Sequence, residues 1–180
     1  AAAAAAADTD APNEPPAGPS VEECVATGQA LVQAGQLDGA RLAEALADGA
    51  GDLWKFGEVV LTKYGVGRAE YAKALGQAVG LPVADTKSDP DKELAERVDE
   101  KVARKFYFIP FADQGGSLVV WGADVSAARR AAAEAAAGAK FEWYATDPKT
   151  VTSHMEQMWR SDRDIGRLVA SFQETDAAAQ

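Results

Sequence analysis

The sequence has one cysteine, Cys24, and one histidine, His154. A single cysteine excludes a disulfide within the chain and favours a reducing compartment. One residue of each kind offers neither a dense zinc site nor a Cys–His catalytic pair. Cys24 falls on the apolar face of a predicted helix, so we interpret it as a buried, unreactive thiol rather than a nucleophile. We interpret His154 as a residue on the flank of a later helix.

The sequence also lacks the common motifs of nucleotide hydrolysis and of membrane insertion. It contains no G-x-x-x-x-G-K-[S/T] phosphate loop and no G-x-G-x-x-G after a predicted strand. It has no run of eighteen apolar residues, the length that a membrane-spanning helix needs. We therefore predict a non-catalytic chain that holds no metal and is not inserted in a membrane.

Positive charge is scarce. The sequence has 18 lysines and arginines against 28 aspartates and glutamates, which gives a net charge of -10. This balance argues against nucleic acid or an anionic membrane as the main partner, because both require a basic surface. A small anionic ligand remains compatible, because a helix terminus and one or two cations can hold it locally.

A tandem repeat organises the first half of the chain. When Gly28 is placed over Gly57, Leu42 falls on Tyr71 and Leu46 falls on Leu75, with the same offset of 29 residues throughout. A repeat of this length is one supersecondary unit present twice, and two copies are expected to pack against each other around a shared core.

Turn and capping residues predict a pair of helices in each copy. Ser20 is followed three residues later by Glu23, which predicts a capping box at the start of the first helix. Asp38 is predicted to cap the second helix. The four predicted helices run from Val21 to about Ala34, from Asp38 to about Gly49, from Leu53 to about Lys63, and from Arg68 to Val79.

The second half alternates strand and helix patterns. The sequence predicts short strands at Leu81–Ala84, Phe106–Phe111, Ser117–Trp121 and Lys140–Tyr144. It predicts helical segments after Asp89, from Asp99 to Lys105, from Asp124 or Ser126 to Gly138, and from Asp147 to Trp159. The predicted fold class is therefore α+β, with a tandem helical-pair subdomain followed by a small β-β-α-β-α subdomain whose helices pack on a sheet.

Composition predicts how these parts divide the chain. We expect a disordered tail over 1–19, the tandem helical subdomain over 20–82, the small α/β subdomain over 83–160, and a linker helix with a tail over 161–180. Trp121, Trp143 and Trp159 are expected in the core of the second subdomain. Trp54 has two interpretations, stacking on a nucleobase or packing between the repeats.

The repeat, approximately [R/K]-[L/F]-G-x-x-[L/V]-x(3)-G followed by leucines four residues apart, resembles the MshEN-type N-terminal domain. Such domains precede the assembly ATPases of bacterial type II secretion and type IV pilus systems, the GspE and PilB families. Further similarity is found in Gly80-Leu81-Pro82-Val83, in the segment 102–111, and in Gly115–Val120 followed by Gly122-Ala123-Asp124. The resemblance covers about residues 20–160 and includes both predicted subdomains.

The resemblance implies a nucleotide site that this sequence retains only in part. In the members of that family that bind ligand, each copy is a half-site for cyclic di-GMP, in which an arginine, the adjacent leucine and glycine, and a later glutamine contact the ligand. In the first copy the arginine, leucine and glutamine positions are Ala26, Thr27 and Gly49. In the second copy Lys55 and Phe56 replace the arginine and leucine, and the glutamine position is an alanine. The ligand-binding residues implied for cyclic di-GMP are Gly28, Leu31, Leu42, Leu46, Lys55, Phe56, Gly57, Val60, Tyr71 and Leu75.

The missing polar groups decide between two expectations for function. Hydrogen bonds to charged groups contribute about 1.5–3 kcal/mol and neutral ones about 1 kcal/mol, so the changes remove roughly 4–6 kcal/mol of binding. We therefore expect a regulatory or docking domain of a secretion or pilus system that binds a platform protein or an attached assembly ATPase. The alternative is a cyclic di-GMP receptor with a degenerate first half-site. The expected location is cytoplasmic, with a peripheral association with the inner membrane through a partner.

Overall fold

The computed structural model describes residues 20–159. The tail expected over 1–19 and the linker helix expected over 161–180 lie outside the described residues. Four helices form the first half, and their bounds agree with the sequence prediction to within one or two residues. They are α1 (Val21–Gln33), α2 (Gly39–Gly49), α3 (Leu53–Thr62) and α4 (Arg68–Val79).

Local capping chemistry explains three of these helix ends. Asp38 Oδ1 accepts a hydrogen bond from the backbone N–H of Arg41 at the start of α2. Asp52 Oδ1 does the same for Lys55 at the start of α3. At the other end of α4, Gly80 adopts a left-handed conformation with φ of 72°, which glycine reaches without strain.

The capping box predicted at Ser20 is wrong. The Ser20 side chain makes no bond to its own helix. Its Oγ instead donates to the carbonyl of Gly51 at 2.9 Å and accepts from the backbone N–H of Leu53, also at 2.9 Å. Ser20 therefore caps the first helix of the second copy, because packing between the copies brings the two helix starts together.

The second half contains a three-stranded sheet with helices around it. In chain order the elements are a 3₁₀ turn (Lys92–Glu96), α5 (Glu100–Phe106), β1 (Phe108–Gln114), β2 (Ser117–Gly122), α6 (Ala127–Ala137), β3 (Phe141–Ala145) and α7, which covers 148–159. The sheet order is β1-β2-β3. β1 and β2 form an antiparallel hairpin, whereas β2 and β3 run parallel and are connected through α6. The predicted α+β class is confirmed.

Two strand predictions differ from the structure. The strand predicted from Phe106 begins at Phe108, because Phe106 is the last residue of α5 and Tyr107 turns the chain in a left-handed conformation with φ of 53°. The strand predicted at Leu81–Ala84 is a single parallel bridge between Val83 and Ala145. The residues on either side of Val83 form hydrogen bonds with Ala145. The Ala145 N–H donates to the Pro82 carbonyl at 2.8 Å, and the Ala84 N–H donates to the Ala145 carbonyl at 2.9 Å.

Buried side chains from both halves form one continuous hydrophobic core. Trp121, Trp143 and Trp159 are buried in it, as predicted. Val151 and Met155 of α7 are also buried, so this helix covers the core with one face. Within residues 20–159, no helix combines the length and the apolar character needed to cross a bilayer.

Candidate functional site

The two copies of the repeat interlock. α1 of the first copy packs mainly on α4 of the second, and α2 packs mainly on α3, so contacts between copies exceed those within each copy. Equivalent positions are buried in both copies. Cys24 in the first copy corresponds to Leu53 in the second, and Leu31 corresponds to Val60. The expectation that the copies share a core is confirmed.

The two motif glycines allow close packing inside each copy. A Cβ atom at Gly28 would overlap Leu42 Cδ1, and one at Gly57 would lie 2.7 Å from Tyr71 Oη and 2.8 Å from Pro148 Cγ. Leu42 and Tyr71 are equivalent positions of the repeat, so the same glycine contact occurs twice. The space beside each glycine is filled by protein atoms.

The structure places the ten predicted ligand-binding residues at three levels of exposure. Lys55 is exposed, and Leu42 and Leu46 are half-buried. The remaining seven are buried, and they are Gly28, Leu31, Phe56, Gly57, Val60, Tyr71 and Leu75. The arrangement differs between copies because α4 is covered by the second half of the chain, while α2 keeps one face toward solvent.

Two motif positions at which this sequence departs from the ligand-binding pattern are closely packed. At Gly49, which occupies the glutamine position of the first copy, a Cβ atom would lie 3.0 Å from both Cα and Cβ of Phe56. Thr27, at the leucine position, is fully buried, and its Oγ1 has no hydrogen-bond partner among residues 20–159. α2 and α3 therefore approach each other too closely for a longer side chain at position 49.

Trp54 is held in a stack. Its ring lies 3.9 Å from the ring of Tyr107 with an interplanar angle of 10°, and its Nε1 donates to Glu58 Oε1 at 3.0 Å. Neither sequence interpretation of Trp54 anticipated this partner, because Tyr107 comes from the second half of the chain. The stack covers one face of the indole and leaves Trp54 8% exposed.

A buried ion pair lies near the junction of the two halves. Arg129 Nε donates to Asp124 Oδ2 at 2.7 Å, and Arg129 Nη2 donates to the Lys105 carbonyl at 2.9 Å. Burial raises the pKa of Asp124 to about 6, although the Arg129 guanidinium opposes this change. Burial likewise raises the pKa of Cys24 to about 12, which agrees with the prediction of an unreactive thiol. Arg129 could not be recognised as a functional residue from the sequence, where its only signal is its position five residues after Asp124.

A groove of about 490 Å³ lies beside the second copy, between the α3–α4 pair and α7. Its polar lining consists of Glu58, Thr62, Arg68, Lys149, Thr152 and Ser153. The sequence alone does not indicate this groove, because its two sides come from segments separated by about eighty residues. Within the described part of the chain, no group of three or more His, Cys, Asp and Glu side chains is placed to hold a metal ion.

The same fold occurs in solved structures of two proteins. A structure of MshE with cdg matches 74% of this chain and 98% of its own chain, with a TM-score of 0.57 and 19% identity. The N-terminal domain of XpsE matches 77% of this chain and 96% of its own, with a TM-score of 0.60 and 18% identity. No family model matches the sequence, and no curated protein does. The resemblance found in the sequence is thus confirmed for the fold, which is of the MshEN type.

Proposed function

We propose that this chain is a non-catalytic docking or regulatory domain of a type II secretion or type IV pilus system. Its partner is a platform protein of that system or an assembly ATPase attached to the domain. The division into a tandem helical unit at 20–82 and an α/β unit at 83–160 belongs to the proposal, with the tandem unit presenting the contact surface. The likeness to the XpsE N-terminal domain over most of both chains supports this assignment.

The observation that carries the proposal is the packing of the repeat. The tandem helical frame is kept, while the space beside Gly28 and Gly57 is filled by Leu42, Tyr71 and Pro148. A nucleotide that entered this space would have to displace these side chains, and the displacement of a fully buried one, such as Tyr71, has a cost of about 1.5–3 kcal/mol of apolar burial. A tandem helical repeat that keeps its fold but has no open cavity beside its glycines is suited to binding another protein through its outer surface.

The outer surface of the tandem unit differs between its two copies. α2 keeps Leu42 and Leu46 half-buried on one face, and the acidic Glu44 and Asp48 lie on the other side of the same helix. Asp48 and Glu44 are held by the second copy through Lys63 Nζ at 2.7 Å and Tyr64 Oη at 3.2 Å. Partly exposed apolar side chains can form the apolar centre of a protein interface, and acidic side chains can belong to its polar rim.

The alternative function is that of a cyclic di-GMP receptor, and one observation favours it. MshE has been solved with cdg, which we read as cyclic di-GMP, and it has this fold. In this chain Lys55 is exposed at the start of α3 and is the one cation that occupies a motif position. A lysine can hold a phosphate as a point charge, although it lacks the planar fork of arginine.

Two titrations of the purified chain test these functions. We expect no heat on titration with cyclic di-GMP at about 100 micromolar, and saturable binding to the purified cytoplasmic part of the platform protein from the same genome. The substitution Leu46→Asp at a half-buried position of α2 should weaken that binding. Val102→Asp, at a half-buried position of α5 outside the tandem unit, should leave it unchanged, and thermal unfolding verifies that both variants fold. A saturable cyclic di-GMP isotherm that Lys55→Ala abolishes would establish the receptor function instead. Unchanged partner binding by Leu46→Asp would contradict the role of the tandem unit.

A further inference from the structure

Among the arginines within residues 20–159, Arg68 is distinguished by having no hydrogen-bond or ion-pair partner. The other five arginines of this part of the chain each form an ion pair with a carboxylate or donate to a backbone carbonyl. Arg68 has no hydrogen bond or ion pair in this part of the chain, and its side chain lines the groove between α3–α4 and α7. The guanidinium therefore keeps all of its donors available toward that groove.

A second cation enters the groove from the opposite side. Lys149 lies in the first turn of α7, is exposed, and has no ion-pair partner among the described residues. Two cations on separate elements converge on one cavity, in a protein whose net charge is -10. The local sign of charge is thus opposite to that of the whole chain, and it favours an anion.

The other residues that line the groove indicate which chemical groups a bound anion would have beside its charge. Leu61 and Pro148 supply an apolar surface, and Glu58 supplies a carboxylate that accepts hydrogen bonds. Thr62 Oγ1 and Thr152 Oγ1 already donate to helix carbonyls, at 2.7 Å and 2.9 Å, so they face a ligand as acceptors. The groove thus combines two cationic donors with several acceptors, which suits a ligand with an anionic group and several hydroxyl groups.

We propose that this groove binds a small phosphorylated polyhydroxyl molecule, such as a sugar phosphate, with its phosphate between Arg68 and Lys149. Arginine and lysine are the side chains that most often bind phosphate, through a bidentate fork and a point charge respectively. The hydroxyl groups donate to Glu58 and to the threonine oxygens. The volume of about 490 Å³ lies within the range of small-molecule sites. The groove is lined by none of the predicted motif positions, although Glu58 and Pro148 in its lining adjoin the motif residue Gly57.

Calorimetric or NMR titration with ribose 5-phosphate, inorganic phosphate and ribose tests this site. We expect saturable binding of ribose 5-phosphate, weaker binding of phosphate alone, and none of ribose. Arg68→Ala and Lys149→Ala should each weaken ribose 5-phosphate binding about tenfold, because each removes a charge-assisted contact. Lys73→Ala is the matched control, since Lys73 is exposed on the same helix as Arg68 but does not line the groove.

Every other outcome overturns the site or its ligand class. Equal affinity of the wild type and the Arg68→Ala variant for ribose 5-phosphate would show that Arg68 does not hold the phosphate. A loss of affinity in Lys73→Ala as large as that in Arg68→Ala would show that the ligand responds to the positive charge of the surface and not to the groove. The absence of saturation up to about 10 mM would mean that the groove does not hold such a ligand. Equal affinity for phosphate and ribose 5-phosphate would overturn the role of the hydroxyl groups. Thermal unfolding of each variant verifies the fold, and none of these results depends on binding of a partner protein or of cyclic di-GMP.

Discussion

At the residue scale, Gly57 shows how the repeat motif is used. The atoms nearest to its absent side chain belong to Tyr71 and Pro148, one from the same copy and one from the start of α7. The Tyr71 ring is fully buried, and no hydrogen-bond partner of its hydroxyl is found among residues 20–159. Neither neighbour can move without disturbing a packed element, so glycine is required here for reasons of space.

Replacement of Gly57 by alanine should therefore destabilise the fold. An added methyl group in a packed core costs about 1–3 kcal/mol, and the contact distances of 2.7–2.8 Å indicate such overpacking. Gly39→Ala is the control, because Gly39 lies in α2 with no atom within 4 Å of the added Cβ. Chemical denaturation should show a lower free energy of unfolding for Gly57→Ala and an unchanged or slightly higher one for Gly39→Ala. Equal stability of the two variants would contradict the packing role.

Asp124 gives the protein a stability that depends on pH. Its pKa is about 6 in the folded chain against an ordinary value of 3.8, chiefly because of burial. Since the folded pKa is the higher one, the folded chain holds this proton more tightly than the unfolded chain. The stabilisation is complete below about pH 4 and is lost as the pH rises through about 6, on the order of 2–3 kcal/mol in total.

The substitution Asp124→Asn isolates this effect. The variant and the wild type should have similar free energies of unfolding near pH 4, because asparagine and protonated aspartic acid are both neutral. Between about pH 4.5 and 7 the wild type should lose more stability than the variant, while the other carboxylates contribute equally to both. Denaturation at a series of pH values measures the difference. Parallel pH profiles would show that the Asp124 pKa is not raised.

At the element scale, most helices could be predicted because their signals are local. Asp38, Asp99 and Ser126 each cap a helix that begins at the next residue, as the sequence alone indicates. Ser20 has the same local signal, yet its hydroxyl bonds to residues 31 and 33 positions away. Phe106 reads as the start of an apolar strand, but α5 continues through it until Tyr107 turns the chain. For Ser20 the deciding contact comes from a distant element, whereas at Phe106 it is the left-handed turn at Tyr107 that ends the helix.

The cross-copy cap at Ser20 should contribute to stability through two bonds at once. Ser20→Ala leaves the buried N–H of Leu53 without its acceptor and the Gly51 carbonyl without its donor. An unsatisfied buried backbone group costs about 1–3 kcal/mol, so the free energy of unfolding should fall by that order. Ser117→Ala, at an exposed strand end, serves as the control. A loss no greater than that of Ser117→Ala would mean that water replaces the cap.

At the scale of the whole molecule, three close contacts are among those that join the tandem unit to the second half. They are the stack of Trp54 on Tyr107, the contact of Gly57 with Pro148, and the approach of Gly76 to Val83. The sequence predicted both halves but none of these contacts, because pairs between halves leave no periodic signal in a single sequence. The chemistry of the groove beside α7 was missed for the same reason. Arg68 and Lys149 each resemble an ordinary surface cation until the fold brings them to one cavity.

The continuous core predicts that residues 20–159 unfold as one cooperative unit, with the Trp54–Tyr107 stack as a principal link. Tyr107→Asn tests this link without adding backbone strain, because asparagine tolerates the left-handed conformation that residue 107 adopts. The variant should lose about 0.5–1.5 kcal/mol for the stack beyond the loss of buried area. A single transition at a lower denaturant concentration, observed both by tryptophan fluorescence and by helical circular dichroism, is expected because the other contacts remain. Two separate transitions in the wild type would show that the halves fold independently, and the partner surface could then be sought in the tandem unit alone.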